Sequence, residues 1–286
     1  MKAILKHLLR AIALIVCLLA VFAGCSVIKN IRNQKKMHLS DNEVVGIRFQ
    51  VPREGAEPVN VLLYQPANRA KGPIPVVFNV HGGAFIAGDA DMLGTQSQRI
   101  ADSWGVMVVN VNYRLAPRVS IEYGTRELSD AVLYFRRHAS DYGINPAQVF
   151  MMGYSAGGCH TMLSTLQLKK EGVDIAGQIL CYPFIKDAIE RYNELTEVQK
   201  SLAPALFVLV KEDPISQGSR PYEELLRSHG VDTEIIEYEK ALHGFIEENN
   251  PEYERMAKAA SKSPEQEKLA RDAEEKIGEW IHRILE

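Results

Sequence analysis

Short apolar runs recur along the chain and are separated by stretches with helical periodicity. The apolar runs fall at residues 44–51, 59–65, 76–80, 106–111, 149–153, 177–182, 206–210 and 234–238, which predicts eight strands. Several carry no alternation of apolar and polar positions, as expected of strands covered on both faces. The first two alternate more and lie close together, which predicts an antiparallel edge. Helical patterns occupy 95–103, 124–138, 156–170, 222–229 and 264–285. The last opens with Ser263 as N-cap, Pro264 in the first turn and Gln266 at the capping-box position. Its apolar stripe, Leu269, Ala273, Ile277, Trp280, Ile281 and Ile284, is that of a helix packed on a core. Strands alternating with helices predict an α/β fold: a mostly parallel sheet with helices on both faces. In such sheets ligands sit beyond the carboxyl ends of the strands.

The N-terminus breaks this pattern. Lys2, Lys6 and Arg10 precede an unbroken apolar run from Ala11 to Ala23. That run suits the hydrophobic region of an export signal and is short for a spanning helix. The following Phe22-Ala23-Gly24-Cys25-Ser26 resembles the bacterial lipobox, with Phe22 where Leu is usual. The resemblance implies cleavage before Cys25, lipidation of its sulfur and a membrane-anchored protein outside the cytoplasm. The alternative is an uncleaved anchor, since the apolar stretch counted through Ile28 approaches eighteen residues. The expected organisation is a signal over 1–24, a tether over 25–40 and one catalytic-type domain over 41–286.

Composition adds few constraints. A chain of 286 residues, 46% hydrophobic and 24% charged, is ordinary for a globular protein. Net charge is −3, and without the three basic residues of the signal it is −6. That balance argues against nucleic acid as a partner. Cys17 lies in the signal, and Cys159 and Cys181 have apolar flanks, so they are expected to be buried thiols. No spacing of Cys, His and acidic residues suits a metal.

The chemistry concentrates at strand ends. Gly153-Tyr-Ser-Ala-Gly-Gly158 follows the apolar run 149–152 and reads as a G-x-S-x-G nucleophile elbow: strand, sharp turn, helix. Ser155 would stand exposed on a strained turn, with glycines where neighbouring backbone comes close. A serine hydroxyl needs a base, and the base needs an orienting carboxylate. Of the eight histidines, His7 and His38 lie before the domain. His138, His229 and His282 lie on helical stretches, and His160 is on the helix behind Ser155. His81 is expected to brace a glycine loop. His243, in the loop after the last strand, is the expected base. Asp213, beyond the run 206–210, is the expected acid, with Glu212 and Asp187 as rivals. The run 76–80 leads into His81-Gly82-Gly83-Ala84, where backbone N–H groups can approach a substrate. The N–H groups of Gly82, Gly83 and Ala156 are the expected oxyanion donors.

Five segments, in this order, carry a family resemblance: His81-Gly-Gly-Ala-Phe85, Asn112-Tyr-Arg-Leu-Ala-Pro117, Gly153-Tyr-Ser-Ala-Gly-Gly158, Lys211-Glu-Asp-Pro214 and Leu242-His-Gly-Phe245. Over about residues 44–286 the chain resembles α/β-hydrolases of the hormone-sensitive-lipase-like esterase group, with bacterial acetyl esterases and xylan acetylesterase-like proteins nearby. The resemblance implies the α/β-hydrolase fold, a Ser155–Asp213–His243 triad, an oxyanion loop at Gly82 and Gly83, and no cofactor or metal. Tyr113 and Arg114 match a structural motif. The sequence departs from the family pattern at Ala84, Tyr154 and Arg118, and none of these departures removes a catalytic group. Only about twenty residues separate Pro183 from Ala205, where relatives insert a helical cap, so a reduced cap and an open site are expected. An open site suits short acyl groups, acetyl for example, on a bulky alcohol such as a sugar. A serine peptidase of the same fold and a catalytically inactive tethered binding protein are the alternative readings.

Overall fold

A computed structural model describes residues 44–116, 118–185, 201–255 and 259–286. The chain divides into Met1–Asp41 and Asn42–Glu286, and every described residue lies in the second unit. The expected signal, the lipidated Cys25, the tether and most of the expected cap segment fall outside the described residues.

Eight strands form one sheet: β1 (Ile47–Arg53), β2 (Ala56–Tyr64), β3 (Ile74–Val80), β4 (Met107–Asn112), β5 (Ile144–Tyr154), β6 (Gly177–Cys181), β7 (Ala205–Val210) and β8 (Thr233–Tyr238). Their order across the sheet is β1-β2-β4-β3-β5-β6-β7-β8. β1 pairs with β2, and β2 with β4, antiparallel; the remaining pairs are parallel. The antiparallel edge and the mostly parallel sheet are thus as expected.

Among the described residues five α-helices of more than one turn cover the sheet: α1 (Gly94–Trp104), α2 (Ile121–Arg137), α3 (Ala156–Lys170), α4 (Arg220–Ser228) and α5 (Pro264–Leu285). α1 stops where Gly105 takes a left-handed φ of 68°, which glycine adopts without the steric penalty of a Cβ. α2 starts where Ser120 accepts the Tyr123 N–H.

The central strands are buried on both faces because their side chains alternate between two helical layers. Val149 and Met151 of β5 join Leu128, Val132 and Phe135 of α2 in one cluster. A second cluster continues that layer along the sheet, with Met162 and Leu166 of α3, Phe207 and Leu209 of β7, and Tyr222 and Leu226 of α4. On the opposite face Phe150 of β5 meets Trp280 of α5, ring centroids 6.2 Å apart. A Cβ on Gly177 of β6 would come 2.7 Å from the Trp280 ring, so the glycine lets the indole lie against the sheet. In the α5 stripe Ala273, Ile277, Trp280 and Ile281 are buried, and Leu269 and Ile284 partly so.

The α5 start differs from expectation in one respect. Ser263 accepts the Gln266 N–H at 3.2 Å, as an N-cap should. The Gln266 side chain, however, does not close a capping box. Its Nε2 donates to Lys240 O and its Oε1 accepts the Leu242 N–H, each at 2.8 Å. The amide is drawn away because the loop after β8 passes beside it with unpaired backbone groups.

Candidate active site

β5 ends at Tyr154 and α3 begins at Ala156, so Ser155 makes the whole turn between them. Its φ of 49° and ψ of −114° are strained for a residue with a side chain. Three backbone bonds hold it there: Ser155 N–H to Cys181 O at 3.0 Å, and Phe184 N–H and Cys159 N–H to Ser155 O at 3.0 and 3.2 Å. The flanking glycines are required by contact. A Cβ on Gly153 would strike the Gly157 carbonyl, and one on Gly157 would strike the carbonyls of Val80 and His81.

His243 lies in the loop between β8 and α5. Its Nδ1 sits 2.6 Å from Asp213 Oδ2 and its Nε2 sits 2.9 Å from Ser155 Oγ. A carboxylate oxygen only accepts, so Nδ1 carries the proton in the neutral ring and Nε2 is free to accept from the serine hydroxyl. The Tyr182 ring meets His243 edge-on at 5.1 Å. The Gln266 amide ties down the backbone on the N-terminal side of the histidine. Asp213 follows β7 and caps the turn Pro214–Gln217, accepting the N–H groups of Ile215 and Ser216 at 3.1 and 3.0 Å. Burial alone would raise its pKa. The His243 bond and charge and the two backbone donors outweigh burial and hold it below the ordinary carboxylate value.

The glycine loop after β3 turns through three successive positive φ angles, 117° at Gly83, 52° at Ala84 and 64° at Phe85. His81 Nδ1 donates to Gly82 O at 2.7 Å, its ring stacks on Tyr113 at 4.4 Å, and Tyr113 Oη donates to His81 O at 3.0 Å. His81 and Tyr113 therefore brace this loop. The expected donor set needs one correction. The Gly82 N–H is donated to Glu247 Oε2 at 2.9 Å, so it is turned inward to a buried carboxylate and away from a substrate. Among the described residues no hydrogen bond engages the N–H of Gly83 or Ala84. Gly83 is half-buried and Ala84 exposed. Ala156 sits at the first turn of α3, where N–H groups lack helical partners.

The other histidines stand apart from this group. His160 is buried on α3 with its Nδ1 2.9 Å from Thr125 Oγ1. His138 faces Asp141, His229 accepts no catalytic partner and sits against Leu225 O, and His282 Nε2 donates to Trp104 O. Cys159 and Cys181 are buried thiols, and neither is in a disulfide. Arg114 pairs with the buried Glu127 and with Glu57, joining the β2 edge to α2. No group of three or more candidate metal ligands occurs among the described residues. Of the six exposed large apolar side chains among the described residues, four, Ile86, Phe184, Ile215 and Leu242, stand on segments that follow strands β3, β6, β7 and β8.

Sequence reasoning missed two residues at this site. Glu247 belongs to no recognisable motif and bonds to the distant Gly82, and Gln266, read only as a capping-box residue, bonds instead to the backbone before His243.

Residues 77–200 match the family model described as alpha/beta hydrolase fold. Solved esterases superpose over most of both chains. The hyperthermophilic esterase of the archaeon Pyrobaculum calidifontis is 19% identical with a TM-score of 0.69, covering 91% of this chain and 90% of that one. This chain has the α/β-hydrolase fold. An esterase from the fungus Rhizomucor miehei matches this chain with a TM-score of 0.71 and 19% identity, over 93% and 90% of the two chains. A carboxyl esterase of the fungus Tuber melanosporum matches with a TM-score of 0.69 and 20% identity, over 87% and 90%. Among curated sequences, a protein of Acanthamoeba polyphaga mimivirus named as an alpha/beta hydrolase is 27% identical over 228 residues. That match spans 66% of this chain and 65% of the relative's own length.

Proposed function

We propose that the protein is a serine carboxylic-ester hydrolase. The unbroken run of hydrogen bonds Ser155–His243–Asp213 carries this reading. In the reaction His243 Nε2 takes the Ser155 proton as Oγ attacks the ester carbonyl. Asp213 holds the imidazolium that forms. The oxyanion is received by the N–H groups of Gly83, Ala84 and Ala156. His243 then gives its proton to the departing alcohol, which leaves an acyl-Ser155. Water, deprotonated by His243, attacks this acyl group; the carboxylic acid leaves and Ser155 regains its proton. No group beyond these side chains and N–H donors is needed. The apolar side chains around the triad, Ile86, Phe184, Ile215 and Leu242, suit the acyl part of an ester.

The substrate class proposed is a short acyl ester, acetyl above all, possessing a bulky alcohol such as a carbohydrate. Its support is the short stretch between Pro183 and Ala205, which has little room for a cap to enclose a long chain. The N-terminal pattern further supports export and anchoring through a lipidated Cys25. In this proposal the anchor is the lipid on Cys25; no helix among the described residues, which begin at residue 44, is long and apolar enough to cross a membrane. A Cys25→Ala variant is expected to lose incorporation of labelled fatty acid and to leave the membrane fraction; unchanged incorporation would refute lipidation at this residue.

The test of activity is hydrolysis of p-nitrophenyl esters of rising acyl length by the full chain and by its Ser155→Ala variant. Activity should be greatest on acetate, fall with chain length, and drop to background in the variant. Equal rates on long and short esters would overturn the short-acyl proposal. Hydrolysis that survives in Ser155→Ala would overturn the mechanism.

A further inference from the structure

Glu247 lies four residues beyond His243 and takes no part in the proton relay. It is 4% exposed. No ion pair among the described residues includes it. Burying a carboxylate without a counter-ion is unfavourable unless hydrogen bonds compensate, and here its bond is to one place, the Gly82 N–H at 2.9 Å. The approach is close enough that a Cβ on Gly82 would come 2.5 Å from Glu247 Oε1. Only glycine at position 82 leaves room for this carboxyl. The Glu247 main chain is itself anchored, since its N–H is donated to Tyr182 Oη at 3.4 Å. Gly82 is thereby held at both ends: its N–H by Glu247 and its C=O by the His81 ring at 2.7 Å. The two peptide groups that follow, at Gly83 and Ala84, adopt positive φ angles of 117° and 52°. An L-residue such as Ala84 does not settle there unless its surroundings impose it.

We propose that Glu247 is a positioning residue for the oxyanion loop: its carboxyl group pins Gly82 and so aims the N–H groups of Gly83 and Ala84 at the reacting carbonyl. The proposal rests on the esterase reading above and adds a part to that same site. Groups facing the carboxyl come from several elements: Tyr113 after β4, Tyr154 of β5, Cys181 at the end of β6 and Tyr182 after it, His243 and Glu248 on its own loop, and Tyr253 beyond it. None of them is a permanent cation. Burial accordingly pushes the Glu247 carboxyl up to about 7, against the opposing pull of the Gly82 N–H and of His243. Near neutral pH both charge states are populated, and the ionised one grips the N–H more strongly.

The test uses the full chain and three variants, assayed on p-nitrophenyl acetate and by amide hydrogen exchange of the segment 82–88. Glu247→Leu removes the acceptor without leaving a buried charge. Glu247→Asp keeps the charge but withdraws it by one methylene. Glu247→Gln keeps an acceptor oxygen at the same reach. Leu and Asp are expected to lower kcat by about 10²-fold, the order found for loss of an oxyanion donor, with KM changed less than about threefold. Both should speed exchange across 82–88. Gln should recover kcat to within about tenfold of wild type and restore most of the protection. A merely structural role predicts instead that the three variants lose activity in proportion to their loss of folded protein. Wild-type kcat in Glu247→Leu or Glu247→Asp, or unchanged protection of 82–88 in both, overturns the proposal. If the wild-type chain cleaves no ester, the esterase reading fails, and the exchange data alone still decide whether Glu247 holds the loop.

Discussion

One amide, that of Gln266, ties the start of α5 to the loop that carries His243. It spans Lys240 O and Leu242 N–H, the backbone immediately before the histidine. Gln266→Leu would leave the Leu242 N–H and Lys240 O without these partners. Lys240 and Leu242 are exposed residues, so water can take over these groups and stability should fall by only about 0.5–1.5 kcal/mol per bond. The larger effect should be on rate, because a base displaced by about 1 Å can lower kcat by ~10²-fold. Steady-state kinetics of Gln266→Leu should show kcat reduced with KM little changed, and equal kcat would remove Gln266 from the site. Asp213→Asn is expected to act differently. The amide can donate to His243 Nδ1 and so stabilise the wrong tautomer, and kcat should fall by about 10⁴-fold while the fold is kept. Ser155, Asp213 and His243 were legible in the sequence because each sits in a short motif at a strand end. Gln266 and Glu247 were not. Their partners are backbone groups, for Glu247 one 165 residues away, and a backbone partner leaves no mark on the sequence. The same blindness explains the misplaced Gly82 donor: nothing in His81-Gly-Gly-Ala84 says that a distant carboxyl will claim the first N–H.

At the scale of elements, the helices and strands were legible wherever burial is two-sided or the apolar stripe is long. α3 and α5 coincide with the expected spans, and β6 to β8 lie within a residue of theirs. β5 starts five residues earlier than the apolar run, at Ile144, because Ile74 of β3 pairs with it. The intervening Asn145-Pro-Ala-Gln148 has no large apolar side chain and includes a proline without an amide donor, and the register shifts between Ile74 and Val76 in that pairing, where proline is tolerated. β1 starts later than its run, and Val45 and Ile47 are exposed, so apolar character there does not reflect the core. The joint between β5 and α3 makes a sharper prediction. Gly157 packs against the backbone at the end of β3, and Val80 and His81 carbonyls cannot swing aside as a flexible side chain could. Gly157→Ala should therefore destabilise by about 1–3 kcal/mol through overpacking. It should also slow labelling of Ser155 by a fluorophosphonate, since α3 must move away from β3 to admit the methyl group. Thermal unfolding and labelling rate measured together would test this, and a variant normal in both would mean that α3 is not pressed against β3.

The whole molecule carries buried titratable groups of both signs, and their sum sets how stability depends on pH. Burial pushes His81 down to about 4 and, with the neighbouring His81 charge adding to burial, His160 down to about 3. Burial pushes Glu247 up to about 7 and Asp89 up to about 6. In the unfolded chain histidines titrate near 6.5 and these carboxyls near 4. Between about pH 4.5 and 6 the unfolded chain holds extra protons on the two histidines, while the folded chain holds extra protons on the two carboxyls. The two differences oppose each other, so these four groups together add little pH dependence there. Below about 4.5 the carboxyls are protonated in both states and the histidines still take up protons only on unfolding. Stability is then lost as pH falls, and Asp213, whose folded pKa is lowered, adds to the loss. Above pH 6 the balance reverses. The histidines are neutral in both states, and the raised pKa of Glu247 means that stability is lost as pH rises through about 7. Glu247→Gln removes that term alone, because the amide does not ionise and resembles the protonated acid. The melting temperature of the variant relative to wild type should therefore change little at pH 5 and rise at pH 8, by an amount corresponding to about 3 kcal/mol if the full separation of the two pKa values is realised. A difference that is the same at both pH values would mean that Glu247 keeps an ordinary pKa, and that the carboxyl beneath the oxyanion loop is better solvated than its burial implies.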